Sequence, residues 1–206
     1  MNADEHRFES ENLAIEIIKQ IAIIRFIRPK IKNPLSIKTL EDLTEIFTTF
    51  ESNPNVETII FTGSGDTFAS GANLKEIADI TADKAREFAL RGQDLMQQVY
   101  HSKKQIIAAI DGYCFGGALD LALSCKVRIA SLRSEFAHPG VSLGIITGWG
   151  GTQLLPRLIG EAKALEMFLT ARRVDAYEAL RIGLVDELAE NPLNSALSFV
   201  ESDKLR

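Results

Sequence analysis

Residues 111–123 read DGYCFGGALDLAL. The glycine pair Gly116-Gly117 opens an apolar run, and Asp120 is the one carboxylate inside it, between Leu119 and Leu121. The pattern predicts a helix over about 117–125. Asp120 then lies three residues past Gly117, about 4.5 Å along the axis at about 1.5 Å per residue, and nearly on the same face. A helix N-terminus offers unpaired N–H donors and the positive end of the helix dipole. A group held there would lie within reach of Asp120. Two readings stand at this point. The glycines permit a turn and close packing while Asp120 complements the dipole, or the segment binds an anion or a carbonyl oxygen becoming one.

Residues 13–18 (LAIEII) and 21–26 (IAIIRF) are rich in β-branched residues and separated by Lys19-Gln20, which reads as a hairpin. Ser36 is placed to cap a helix over about 37–51, with Leu40, Leu43, Ile46, Phe47 and Phe50 on one stripe. VETIIFTG (56–63) reads as a buried strand, and GSGDTFASGAN (63–73) as a glycine-rich loop. A helix over about 83–101 carries Phe88, Leu95 and Val99. A strand at 106–110, the 117–125 helix and a strand at 127–131 follow. HPGVSLGIITGWGG (138–151) is a second glycine-rich stretch, followed by helices at about 151–158 and 161–170. Asp175 to Glu178 resembles a capping box that opens a short helix ending at Gly183. The alternation of strands and helices gives an α/β architecture, with no repeat or linker in the sequence.

Composition narrows the class. With 206 residues, 46% hydrophobic and 25% charged, the chain suits one globular domain with a sizeable core. Net charge is −5 with dispersed Lys and Arg, so no basic stripe points to nucleic acid. No apolar run approaches the roughly 20 residues that span a bilayer. The opening MNADEHRFES is polar and acidic, unlike a secretory signal, and the expected location is cytoplasmic. Cys114 and Cys125 sit in apolar segments and read as buried free thiols; with only His6, His101 and His138 available, their spacing matches no metal pattern.

Nucleotide and nucleophile motifs fail. GSGDTF at 63–68 has Phe68 where the dinucleotide fingerprint needs a third glycine, and it runs on into loop. No glycine is followed by Lys-Ser or Lys-Thr, and no G-x-S-x-G is present. What remains is backbone: Ser70-Gly71-Ala72 and Gly116-Gly117 are small-residue turns where amide N–H groups can be approached.

Taken in order, FASGANLKEI (68–77), AAIDGYCFGGALDLALSCKVRIAS (108–131), GWGGTQLLPRLIG (148–160) and LTARRVDAYEALRIGLVDEL (169–188) resemble the crotonase (enoyl-CoA hydratase/isomerase) superfamily over about residues 12–188. The resemblance implies a spiral of repeated β-β-α units, with the usual C-terminal helical part short or missing. It divides the chain into a crotonase-like acyl-CoA-binding domain at 1–188 and a short tail at 189–206. It also implies an acyl-CoA thioester substrate, no separate cofactor or metal, no nucleic acid or membrane partner, and a homotrimer or hexamer. The backbone N–H groups of Ala72 and Gly117 would form an oxyanion hole, and Asp120 the acid/base. CoA would lie against Ala69 to Gly71, with Lys75 and Lys30 near its phosphates unless they are ordinary surface charges.

The sequence departs from this family at instructive places. Hydratases use two glutamates; here one position holds Asp120, and the other, in HPGV, holds Gly140. Water addition needs a base for water and an acid for carbon. With one carboxylate missing, isomerisation or decarboxylation through an enolate fits better than ordinary hydration. The alternatives are a non-catalytic acyl-CoA-binding or scaffold subunit, and a hydratase with a substitute acid/base such as His138, which otherwise reads as structural. Asn73 stands where many relatives have Asp, and Trp149 reads equally as acyl-pocket wall or core.

Overall fold

The computed structural model describes residues 7–203; His6 and the rest of 1–6, and 204–206, lie outside the described residues. Strands β1 (Arg7–Glu9), β2 (Leu13–Ile18) and β3 (Ile21–Phe26) form an antiparallel meander. The turn between β2 and β3 is the expected Lys19-Gln20, with Lys19 left-handed at φ 56°. β4 (Pro34–Leu35) leads to α1 (Ile37–Ser52), where the Ser36 side chain accepts a hydrogen bond from the Thr39 N–H at 3.1 Å. Leu40, Leu43, Phe47 and Phe50 are the buried stripe of α1, with Ile46 at its margin.

Three units then follow one pattern. The first is β5 (Thr58–Thr62), β6 (Thr67–Ala69), the two-residue β7 (Gly71–Ala72), α2 (Leu74–Ala78) and α3 (Ala82–His101). The second is β8 (Gln105–Ile110), β9 (Tyr113–Phe115) and α4 (Gly117–Ser124). The third is β10 (Val127–Ala130), β11 (Glu135–Ala137), a 3₁₀ turn at Pro139–Leu143, α5 (Gly151–Ile159) and α6 (Glu161–Thr170). β12 (Val174–Asp175), α7 (Ala176–Arg181), β13 (Glu187–Leu188) and α8 (Pro192–Asp203) complete the described chain.

Each unit places its first strand in one sheet and its second in another. Among the described residues a seven-stranded sheet runs β1-β2-β3-β5-β8-β10-β13, parallel from β3 onward, a second, four-stranded sheet runs β12-β11-β9-β6, and β4 pairs with β7. The chain therefore winds as a β-β-α spiral whose repeat lies in geometry and leaves no trace in residue identity. Short strands such as β9 and β11 were not distinguishable from loop in the sequence, because three residues carry no period.

Parallel strands packed on both faces are apolar throughout rather than alternating, and β5 (TIIFT) is buried at every position. Its alternate residues still face opposite ways. Phe61 joins the main core, where it stacks on Phe47 at 6.3 Å, while Ile60 joins Ile21, Ile23, Ile107 and Ile129 on the other face. Ala196 and Val200 of α8 cover that second face. The segment expected as a tail from 189 thus contains a helix that packs on the sheet. Among the described residues no helix is long and apolar enough to cross a membrane.

Candidate functional site

The second sheet brings the two glycine turns together. β6 and β9 are parallel neighbours, with Ala69 opposite Cys114, so the segments leaving them, Ser70-Gly71-Ala72 and Gly116-Gly117, emerge side by side. At Gly71 the backbone is left-handed, with φ 92°. A Cβ there would stand 2.6 Å from the Phe115 carbonyl oxygen and 3.1 Å from the Gly117 nitrogen. Only glycine allows this approach. Gly116 also has positive φ, and its N–H donates to the Ala137 carbonyl at 2.9 Å, which ties the end of β11 to the same point. Gly117 is the first residue of α4, so its own N–H has no acceptor within the helix.

Asp120 is one turn further along α4, 1% exposed, and borders the cavity. Burial pushes its carboxyl from 3.8 up to about 7, against the pull of the Trp149 and Gly151 backbone amides. These amides lie at the start of α5, whose positive dipole end favours the carboxylate form. His138, also 1% exposed, stands beside it with Nε2 3.7 Å from Asp120 Oδ1. Burial lowers the imidazole from 6.5 to about 4, so at neutral pH it is uncharged and the contact is no ion pair. The other ring nitrogen, Nδ1, is 2.8 Å from Thr147 Oγ1, and the ring packs 5.1 Å from that of Phe168. Gly151 makes room for the group: a Cβ there would lie 2.1 Å from Asp120 Oδ1 and 2.9 Å from His138 Cε1.

A cavity of about 640 Å³ opens over these atoms. Gly71, Ala72, Gly116, Gly117 and Asp120 form its polar end. Leu74, Ile77, Phe88, Leu143, Ile145 and Ile146 supply an apolar wall. Trp149 both lines this cavity and is 3% exposed, so pocket wall and core are one role. Its ring lies against Gly92 of α3 and Gly117 of α4, where a Cβ would come within 2.3 Å and 2.2 Å of it, and 5.5 Å from Phe88. The glycine at position 140 is constrained by its own turn. A Cβ there would stand 2.8 Å from the Ile145 carbonyl oxygen, and the Ile145 N–H closes the turn by donating to Gly140 O at 3.0 Å.

The residues expected around CoA are less convergent. Ala69 is fully buried in β6, so only its backbone is available. Lys75, on α2, and Lys30, in the 3₁₀ turn Pro29–Ile31, are exposed, and among the described residues neither is ion-paired. Asn73 caps α2, its side-chain oxygen accepting from the Lys75 N–H at 3.1 Å. Sequence reasoning missed Thr147 and Gly151 as parts of the site. Both lie in the glycine-rich stretch after His138, and the Gly150-Gly151 pair opening a helix was the signal they shared with Gly116-Gly117.

The sequence profile of the family described as "Enoyl-CoA hydratase/isomerase" matches residues 16–197. The chain belongs to that family. Among curated relatives, it is 39% identical over 181 residues to the crotonyl-CoA hydratase of Syntrophomonas wolfei, covering 87% of this chain and 70% of the relative. It is 36% identical over 196 residues to the (E)-benzylidenesuccinyl-CoA hydratase of Thauera aromatica, covering 94% and 75%. Among solved structures, the enoyl-CoA hydratase from Bacillus anthracis superposes with a TM-score of 0.89 at 34% identity, covering 93% of this chain and 76% of that one. The spiral of β-β-α units is thus the fold of the crotonase superfamily.

Proposed function

We propose that this family member acts on an acyl-CoA thioester by forming and discharging an enolate, with Asp120 as its single carboxylic acid/base. The observation that carries the reading is a fully enclosed carboxyl, pushed by burial up to about 7, at the same cavity end as the close-packed amides of the two glycine turns. The Ala72 and Gly117 N–H groups would hold the thioester oxygen, and each such donor supplies about 3 kcal/mol to a developing oxyanion. A group poised near neutrality accepts and returns a proton with little cost in either direction.

Isomerisation of a 3-enoyl thioester uses these parts in full. Asp120 carboxylate takes a proton from C2, the electron pair moves into the thioester carbonyl, and the dienolate oxygen rests on the two amides. The carboxylic acid then returns the proton to C4, leaving the 2-enoyl thioester. Decarboxylation of a malonyl-type thioester reaches the same kind of enolate by loss of CO₂, with Asp120 as the proton donor. Neither needs a second acid at Gly140. The apolar wall suits an aliphatic acyl group, and the names of the relatives favour an enoyl one.

The test is turnover of 2-enoyl-, 3-enoyl- and malonyl-type CoAs by the wild type and Asp120→Asn. Turnover of 3-enoyl- or malonyl-type substrate, lost on substitution, is expected. Turnover unaffected by the substitution would exclude Asp120 as acid/base, and binding of the thioesters with no turnover of any would instead identify a binding subunit. A second reading, hydration, is favoured by the hydratase relatives and by the imidazole beside Asp120. It requires crotonyl-CoA hydration that disappears in His138→Ala.

A further inference from the structure

Two buried atoms at the site face each other with nothing else to bond: among the described residues neither Asp120 Oδ1 nor His138 Nε2 has a hydrogen-bond partner. Buried polar atoms are seldom left so. At 3.7 Å they are slightly too far apart for a hydrogen bond, and such contacts in ligand-free catalytic sites commonly tighten on binding. The far side of the same ring is engaged, with Nδ1 2.8 Å from Thr147 Oγ1. Thr147 is half-buried and lines the cavity, whereas His138 is closed off from solvent. A continuous line therefore runs from the cavity through a hydroxyl and an imidazole to the carboxyl.

Resting on the reading of Asp120 as acid/base, we propose that His138 is its positioning residue and, with Thr147, the path by which the Asp120 proton exchanges with the cavity. A neutral imidazole has one N–H, and the bond at one nitrogen fixes which one. When Asp120 is protonated, its O–H donates to Nε2, and Nδ1–H donates to Thr147 Oγ1. When Asp120 is ionised, Nε2–H donates to the carboxylate, and the Thr147 O–H donates to Nδ1. Passage between these states moves the Asp120 proton to Nε2, the Nδ1 proton to Thr147 Oγ1, and the Thr147 hydroxyl proton to water in the cavity. One proton leaves in total and the imidazole ends neutral, as the other tautomer.

The surroundings leave these groups to act on each other. Besides His138, Cys114 of β9 is an ionisable group near Asp120, its thiol raised well above its ordinary value by burial and, more weakly, by Cys125 and Asp120. α6 turns Phe168 toward the ring, and its Lys163 and Glu166 are exposed. On α3, Glu87 and Asp94 are exposed and Arg91 is paired with Glu87; on α5, Arg157 is exposed.

Nitrogen NMR of the ¹⁵N-histidine-labelled protein tests the proposal, with His138 assigned by its loss in His138→Gln. Between about pH 5 and pH 9 the ring should stay neutral and pass from the Nδ1–H to the Nε2–H tautomer. The change should follow the Asp120 carboxyl carbon and vanish in Asp120→Asn. One fixed tautomer throughout, or an imidazolium, overturns it. Thr147→Val, which keeps the side-chain shape, should lower severalfold the exchange of the transferred hydrogen with D₂O during turnover, and unchanged exchange counts against the relay. Loss of turnover in Asp120→Asn with a fixed His138 tautomer refutes this proposal alone, whereas retained turnover in Asp120→Asn refutes the acid/base role itself.

Discussion

Replacing Asp120 by Asn should make the protein more stable, and by an amount that depends on pH. The carboxyl is fully enclosed, and burial lifts it from 3.8 to about 7. A folded-state value above the unfolded one means that the unfolded chain gives up the proton first as pH rises. Stability is then lost across the window from about pH 4 to about pH 7 and stays lost above it. At about 1.4 kcal/mol per pH unit, the full loss is about 4 kcal/mol, with about 2 kcal/mol reached near pH 5.5. Asn has the same shape and cannot ionise. Its oxygen can still face the Trp149 and Gly151 amides, and its NH₂ can reach His138 Nε2. His138 has the opposite slope, since burial holds it at about 4 and its neutral folded form loses stability as pH falls below 6.5. That slope is common to both proteins and cancels in their difference. Urea denaturation at fixed protein concentration, at pH 4, 5.5 and 8, gives the comparison. Asp120→Asn should match the wild type at pH 4 and exceed it by up to about 4 kcal/mol at pH 8. A difference that is flat with pH, or that favours the wild type at pH 8, would mean that burial does not hold the Asp120 carboxyl protonated.

Other outcomes follow from the same geometry. Gly151→Ala drives a Cβ to 2.1 Å from Asp120 Oδ1; thermal or urea unfolding should show a loss of about 1–3 kcal/mol from overpacking, together with reduced turnover. Gly140→Glu should not create a hydratase, because its Cβ meets the Ile145 carbonyl. Crotonyl-CoA hydration should rise by less than about tenfold, a factor worth only about 1.4 kcal/mol in the barrier. Trp149→Ala removes a ring that fills the space between Gly92 and Gly117, at a cost of about 3–5 kcal/mol in unfolding free energy. For isomerisation, kcat/KM should climb with pH to a plateau above about 7, because the base must be ionised in the free enzyme.

Much of the architecture was legible because long elements announce themselves. The β2–β3 hairpin, the Ser36 cap, the stripe on α1 and the Asp175 cap all stand where the sequence placed them. The short strands β6, β9 and β11 were not legible, although they are what bring Gly71 beside Gly117. Their pairing partners lie 40 or more positions away in some cases, and three-residue segments hold no periodic signal. At the site, Asp120 stood out as a lone acid in an apolar run. Its neighbour Thr147 did not, because nothing local links a loop threonine to a histidine nine residues earlier. The glycine at position 140 was legible as a missing acid. Only the fold shows that the turn closes over that position.

In the proposed mechanism one buried carboxyl moves a proton beside a thioester. The direct measurement is the fate of the C2 label of a 2,2-dideuterated 3-enoyl-CoA, read by mass spectrometry for the wild type and Asp120→Asn. Loss of one deuterium from C2, to C4 or to solvent, together with appearance of the 2-enoyl product, should be rapid in the wild type and fall by about 10²-fold or more without the carboxyl. Equal loss of the C2 label in the two proteins, or none in either, would exclude Asp120 as the group that moves the proton.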